Sequence, residues 1–267
     1  MHFKDILVHI DNSEQSATRL DMAITLAKEH QAHVTGLFVI THLYYAPQKS
    51  ENMARKEAQM EEMFRLKSES AQINAHFFSV DWATIGDNMA AVLNYYTHSK
   101  DLIILGQSDH RKSQDDVPLD LPELVIAGSG RPVLVVPYVG TFGTVGEHVL
   151  IAWKNGRESA RSVNDAMPFL SSAKKVSVVS IETSDDSNKT AKYPDADICA
   201  HLERHGIQIR EKNLVAGNIP VATLLMDYAW ENGCDLIVLG VPREARKHGP
   251  VARDFLDQMT VPILMSH

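Results

Sequence analysis

The sequence repeats itself once, with its landmarks in the same order in both halves. Three pairs of segments correspond: 4–11 with 147–154, 101–106 with 235–240, and 131–136 with 261–265. Similar segments that occur in the same order in both halves indicate a duplication, so the chain must form the same fold twice. We place the two domains at residues 1–138 and 148–267, and we interpret the glycine-rich residues 139–147 as the linker between them.

Within each copy, short apolar segments alternate with longer amphipathic or polar ones. Ile6–Ile10 has the length of a buried strand, and Leu20, Ala23 and Ala27 follow at the spacing of one helix face. Five apolar segments of this kind occur in each copy. Strands that alternate with helices of this length predict βαβ crossovers and a parallel sheet. The expected fold class is α/β, with two tandem doubly wound domains, each a five-stranded mostly parallel sheet with helices on both faces.

Composition narrows the classes of function. The 267 residues are 44% hydrophobic and 22% charged, as in an ordinary globular protein, and the formal net charge is −8. An acidic chain disfavours nucleic acid and anionic membranes as partners. No apolar run approaches the roughly 20 residues of a membrane span, and the N-terminus does not read as a secretory signal. Cys199 and Cys234 are too few for a disulfide framework, so we expect a cytoplasmic protein.

Four sets of residues resemble the universal stress protein family. They are residues 6–17 (Ile-Leu-Val-His-Ile-Asp-Asn-Ser-Glu-Gln-Ser-Ala), the Gly-Asn-Ile-Pro turn at 217–220, the Asp-Leu-Ile-Ile/Val-Leu-Gly segments, and the segments 131–137 and 261–264. The resemblance covers essentially the whole chain, as a tandem member. It implies a cytoplasmic stress-response protein of a mainly non-enzymatic family, in which many members bind ATP. It also implies an intramolecular pseudo-dimer of the two domains through their last strands, and leaves a homodimer of the chain open.

The first copy departs from the nucleotide loop of that family. ATP-binding members resemble Gly-x2-Gly-x9-Gly-Ser/Thr after the fourth strand, where glycines let the backbone approach phosphate. Gly106 opens this loop, but Asp109, Leu119 and Asp120 stand where two glycines and the hydroxyl residue belong. The added carboxylates would oppose a triphosphate. Gly128-Ser129 is an alternative glycine-hydroxyl pair, which we interpret instead as a helix C-cap.

The second copy departs from the loop differently. Gly240 opens it and Gly249 stands in the third-glycine position, but the loop is shorter, Arg243 replaces the second glycine, and Pro250 replaces the hydroxyl residue. The loop is basic and precedes a helix, so it could hold an anion. The alternative is a solvated basic turn.

The two copies also differ at the position that would contact the nucleotide base. Asp11 ends the first strand, where the family has an aspartate near the nucleotide base, whereas the second copy has Lys154-Asn155. We therefore expect ATP binding of the usual kind to be lost or weakened in both copies, and we assign no cofactor, with ATP as the open alternative. The candidate ligand-binding residues are Asp11, Gly106, Gly240, Arg243 and Gly249.

Three hypotheses for the function follow. The first is a non-catalytic binding or signalling module whose degenerate nucleotide sites bind an unidentified small ligand or none. The second is an ATP-binding switch or slow ATPase that uses the loop from Gly240 to Gly249. The third, an enzyme, is disfavoured because no nucleophile and base can be paired from the sequence. His201 and His205 could share a helix face and chelate a metal, but we interpret them as a solvated face and expect no metal site.

Overall fold

The chain forms two compact units, His2–Phe142 and Gly143–His267. The computed structural model describes residues 2–40, 51–81, 88–109, 117–182, 197–242 and 250–267. The boundary between the units falls inside the predicted linker. Beyond it, the backbone N–H groups of Gly146, Glu147 and His148 donate to the Asp235 carboxylate over 2.8–3.1 Å, so the end of the predicted linker is held by the second unit.

The first unit is a five-stranded parallel sheet with flanking helices. Its described elements are β1 (Asp5–Ile10), α1 (Gln15–His30), β2 (His33–Ile40), α2 (Glu51–Ala71), β3 (Ala75–Asp81), α3 (Met89–Thr97), β4 (Leu102–Gly106), α4 (Leu121–Gly128) and β5 (Val133–Val136). The strand order is β3-β2-β1-β4-β5, and every neighbouring pair is parallel. Ser129 is the C-cap of α4, its N–H donating to the Val125 carbonyl, and Gly130 beyond it has a φ of 60°.

The second unit repeats this arrangement. Its described elements are β6 (His148–Trp153), α5 (Arg157–Leu170), β7 (Lys175–Glu182), α6 (Ile198–Arg204), β8 (Ile209–Val215), α7 (Val221–Glu231), β9 (Leu236–Gly240), α8 (Pro250–Gln258) and β10 (Ile263–Ser266). The strand order is β8-β7-β6-β9-β10, again parallel between all neighbours. The predicted α/β class, with two tandem doubly wound parallel sheets, is therefore confirmed.

Continuous burial of the central strands explains why the apolar segments form sheets covered by helices. In β1, Ile6, Leu7 and Val8 are completely buried, although successive side chains point to opposite faces of the sheet. All four residues of β5 are buried as well. Strands buried on both faces are typical of parallel sheets between layers of helices. Among the described helices, none is both long and apolar enough to cross a membrane.

The strand order locates the place where each unit can form a site. In the first unit the chain passes from β1 outward to β2 and later returns to the other side of β1 as β4. The carboxyl ends of β1 and β4 therefore flank a crevice, and such topological switch points are where open α/β sheets bind ligands. Asp11 and Gly106 stand at this point in the first unit, and Lys154 and Gly240 stand at the equivalent point in the second.

Candidate functional site

Asp11 is a buried carboxylate held by its own loop and by the start of α1. One carboxylate oxygen, Oδ1, accepts hydrogen bonds from the backbone N–H and hydroxyl of Ser13, and the Ser16 hydroxyl lies 2.9 Å from it. The other, Oδ2, lies 2.7 Å from Nη2 of Arg19. The sequence produces this arrangement because Ser13 and Ser16 follow β1 closely, where short polar side chains bond to nearby backbone at helix starts. Both oxygens of Asp11 are therefore engaged within the protein.

Arg19 is the partner that the sequence analysis missed. It lies on α1, and its side chain is only 3% exposed. Its Nε donates to the His9 carbonyl over 3.1 Å, and Nη2 also donates to the Ser16 hydroxyl over 2.7 Å. Arg19 follows Ser16 by three residues and precedes Ala23 by four, so it shares the buried face of α1. That spacing was the available sequence signal for a buried arginine.

The three ionisable groups of this cluster balance to zero net charge at neutral pH. Burial by itself raises the pKa of Asp11, but the Arg19 guanidinium and the hydrogen bonds from Ser13 overcome it and hold that pKa well below its usual range. Burial lowers the pKa of His9 to about 4, with Asp11 opposing and Arg19 reinforcing the shift. Asp11 is therefore ionised and His9 neutral at pH 7, and the one buried positive charge compensates the Asp11 carboxylate.

Gly106 makes room for the Arg19 guanidinium. A Cβ atom at this position would lie 2.3 Å from Nη1 of Arg19, closer than real Cβ contacts. The first glycine of the predicted loop therefore has a packing role at the end of β4. The structure brings Asp11 and Gly106 together across the switch point, through an arginine that lies between them.

A small cavity opens beside this cluster. Its volume is about 20 Å³, room for one or two water molecules. Its lining includes Asp11, Arg19, Gly106, Gln107, Ser108, Asp109, Leu121 and Tyr138. Two of its walls are tied together: Gln107 accepts a hydrogen bond from the Tyr138 N–H, and Gln15 donates to the Tyr138 carbonyl.

The second unit carries no such cluster at the equivalent place. The strand registers match Ala152, Lys154 and Ser162 with His9, Asp11 and Arg19, so all three ionisable groups change together. In place of an arginine, the helix backbone approaches the sheet, because a Cβ atom on Gly240 would lie 2.4–2.6 Å from backbone atoms of Glu158 and Ser159. Arg243 and Gly249, the other two predicted residues of this copy, lie outside the described residues.

The two histidines weighed as metal ligands and the two cysteines lie away from the switch-point cluster in the sequence. The rings of His201 and His205 lie 4.8 Å apart on an exposed helix end. In the described part of the chain, no group of three histidine, cysteine or acidic side chains is placed to hold a metal ion. Cys199 and Cys234 are buried free thiols, and burial raises the pKa of each to about 11.

Comparison with known proteins identifies the fold. The sequence model of the universal stress protein family matches residues 2–137, about half of the 267-residue chain. The chain belongs to the universal stress protein family. As a tandem member of that family, it is similar over 98% of its length to a universal stress protein from Archaeoglobus fulgidus DSM 4304, with 17% identity, 97% of that chain covered and a TM-score of 0.76.

A second solved structure is also similar to nearly the whole chain. A functionally unknown protein from Pseudomonas aeruginosa PAO1 matches over 99% of this chain and 92% of its own, with 17% identity and a TM-score of 0.65. At such identities the likeness extends to the fold alone. No curated protein sequence matches this universal stress protein.

Proposed function

We propose that this universal stress protein is a non-catalytic binding or signalling module of the stress response, with both nucleotide sites changed from the ATP-binding pattern. The observation that carries the proposal is the buried ion pair between Asp11 and Arg19, with 2.7 Å between Oδ2 and Nη2. In this proposal the protein acts in the cytoplasm and requires no cofactor.

The ion pair supports the proposal because it removes the acceptor that a nucleotide base would use. Both oxygens of Asp11 already accept hydrogen bonds or pair with Arg19. A base that bonded to Asp11 would have to displace a guanidinium that is almost fully buried, and separating a buried ion pair is strongly unfavourable. The cavity beside the pair, about 20 Å³ in volume, also leaves little room for a base.

The second copy supports the proposal through a different change. Lys154 stands at the position equivalent to Asp11 and carries the opposite charge. The backbone of Glu158 and Ser159 lies so close to Gly240 that this glycine serves the contact between α5 and β9. Gly106 and Gly240 therefore have structural reasons to be glycine that require no phosphate.

Thermal unfolding with and without magnesium ATP tests the proposal. A ligand at 100 times its dissociation constant stabilises the native state by about 2.7 kcal/mol. We expect no such stabilisation by magnesium ATP, and no nucleotide in the supernatant after the purified protein is denatured. Stabilisation at micromolar ATP, or a co-purified nucleotide, would overturn the proposal.

The same titration addresses the second hypothesis, an ATP-dependent switch or slow ATPase that uses the loop from Gly240 to Gly249. Its support is the basic sequence of this loop directly before α8. If ATP binds and Arg243→Glu abolishes the binding while Arg19→Lys does not, the second-copy site is the one in use. ATP binding that survives Arg243→Glu contradicts the second hypothesis as well.

A further inference from the structure

The residue at which the first copy passes into the linker is bound from two sides. Gln107, which follows β4 directly, accepts a hydrogen bond from the Tyr138 N–H over 3.1 Å. Gln15, the first residue of α1, donates through Nε2 to the Tyr138 carbonyl over 3.2 Å. Both backbone groups of Tyr138, which lies outside the sheet, are therefore satisfied by side chains that are distant in the sequence.

These two hydrogen bonds lie at the carboxyl end of the sheet. The strand order places β4 between β1 and β5. Gln15 follows β1 and Tyr138 follows β5, so the bond between them bridges the end of β4, where Gly106 stands. Gln15, Gln107 and Tyr138 all line the small cavity at the switch point. We call residues 137–140 the strap, because this segment carries Tyr138 along the cavity wall.

Both side chains that bind Tyr138 are specific to the first copy. Val241 is equivalent to Gln107, since each donates its backbone N–H to the last described strand of its unit over 2.8 Å. Glu158 stands at the position of Gln15. Valine offers no side-chain acceptor, and Glu158, whose pKa is lowered mainly by its hydrogen bond with Arg157, offers no donor at pH 7. The two glutamines therefore occur in the copy whose last strand leads into the linker.

The strap begins at a firm attachment and ends at a glycine. The Gln107 N–H donates to the Val136 carbonyl over 2.8 Å and ties the chain to β4 just before the strap. Val139 is 65% exposed, and Gly140 has a φ of 116°, in the region that favours glycine. The hydrogen bonds to Tyr138 therefore fasten the strap between a fixed start and an exposed end.

We infer that the strap is a lid on the first-copy cavity, and that release of Tyr138 from Gln15 and Gln107 opens the crevice. The inference rests on the proposed function, since it concerns access to a site that we propose has departed from the ATP-binding pattern. With the strap fastened, the cavity has a volume of about 20 Å³, which is room for one or two water molecules. A larger ligand therefore binds only to the open form, and its affinity depends on the population of that form.

Hydrogen exchange of single protons, measured by NMR on the full chain, tests the inference. The Tyr138 amide reports the strap, the Arg19 Nε–H group reports solvent access to the cavity wall, and the amide of the fully buried Leu7 reports unfolding. Gln15→Met removes the donor and Gln107→Met removes the acceptor. Since one hydrogen bond has a small net effect, each variant should speed exchange at Tyr138 and Arg19 by about two- to tenfold. Exchange at Leu7 should stay unchanged.

A matched control is available on the surface of the first unit. Gln59→Met replaces an exposed glutamine of α2 and should change none of the three rates. An effect of Gln59→Met equal to that of Gln15→Met would overturn the inference, because the response would then not depend on the strap. If Gln107→Met does not fold, Gln15→Met decides the matter by itself.

Three other results would also overturn the inference. Faster exchange at Tyr138 with unchanged exchange at Arg19 would mean that the strap moves without opening the cavity. Unchanged exchange at both positions would mean that the glutamines do not hold the strap, and equal acceleration at Leu7 would assign the effect to unfolding. Magnesium ATP added to the wild type separates the two proposals, because ATP binding would overturn the proposed function, whereas the exchange rates of the free protein test the strap.

Discussion

Replacement of Arg19 should lower the free energy of unfolding of the first unit far more than replacement of an exposed arginine with a similar number of polar contacts. In Arg19→Met the stem is replaced by a side chain of similar length, but Asp11 is left as a buried charge without its partner. Breaking a buried ion pair by removing one member costs about 3–5 kcal/mol. We therefore expect a loss of that size in the free energy of unfolding of the first unit.

Arg65 on α2 is the matched control. Its guanidinium makes three hydrogen bonds of 2.8 Å to Glu62 and Glu69, against two hydrogen bonds and one ion pair for Arg19, but the groups are exposed. Solvent screens such pairs, so Arg65→Met should cause little or no loss of stability. The comparison separates burial from the number of hydrogen bonds.

Hydrogen exchange measured by mass spectrometry is the assay, since peptides from β1 report the first unit separately from the second. Where exchange requires global unfolding, a loss of 3–5 kcal/mol speeds it by about two to nearly four powers of ten. Peptides from β6 should change little in Arg19→Met. Equal effects of the two substitutions, or no acceleration in β1, would refute the account of Asp11 and Arg19 as a buried pair.

Three further predictions follow from the same structure. Because the unfolded His9 takes up a proton near pH 6.5 and the folded one only near pH 4, the stability of the first unit should fall by roughly 3 kcal/mol from pH 7 to pH 4 in urea titrations; His9→Gln should flatten this dependence, and an unchanged slope would contradict it. Gly106→Ala and Gly240→Ala should each lose about 1–3 kcal/mol in urea unfolding, because the new Cβ meets the buried, ion-paired guanidinium of Arg19 in one and the backbone of Glu158 and Ser159 in the other; no loss in either variant would be inconsistent with the packing. Cys199 and Cys234, with pKa values near 11, should react with a thiol reagent at pH 8 about a hundredfold more slowly than in urea, and equal rates would refute their burial.

Much of the fold could be predicted because apolar periodicity and the duplication agree. The sequence pattern predicts helices over 51–71 and 221–231 and a strand over 133–136, and the observed α2, α7 and β5 have these bounds. The apolar segment 102–105 predicts the fourth strand, and β4 runs one residue further, to Gly106, because backbone pairing with Val136 continues past the last large side chain. The sequence pattern predicts a strand over 207–214, but β8 covers Ile209–Val215, since this edge strand is largely exposed and carries a weak apolar pattern.

The site could be predicted only in part. Asp11 and Gly106 were expected at the switch point, and they lie there. The sequence suggested that Asp11 faces a ligand, but a pairing between Asp11 and Arg19 depends on how α1 packs on β1 and β4, which no local pattern contains. Propensity treats an arginine in a helix as a surface residue. Roles for Arg243 and Gly249 and the pseudo-dimer through the last strands stay predictions.

The central claim is that neither nucleotide site of this universal stress protein binds ATP, because both depart from the ATP-binding pattern. Isothermal titration calorimetry of the full chain with magnesium ATP tests it most directly. We predict no binding heat above that of dilution at ATP concentrations up to about 5 mM, where even a 50 µM site would be almost saturated. A saturable heat with a micromolar dissociation constant would contradict the claim.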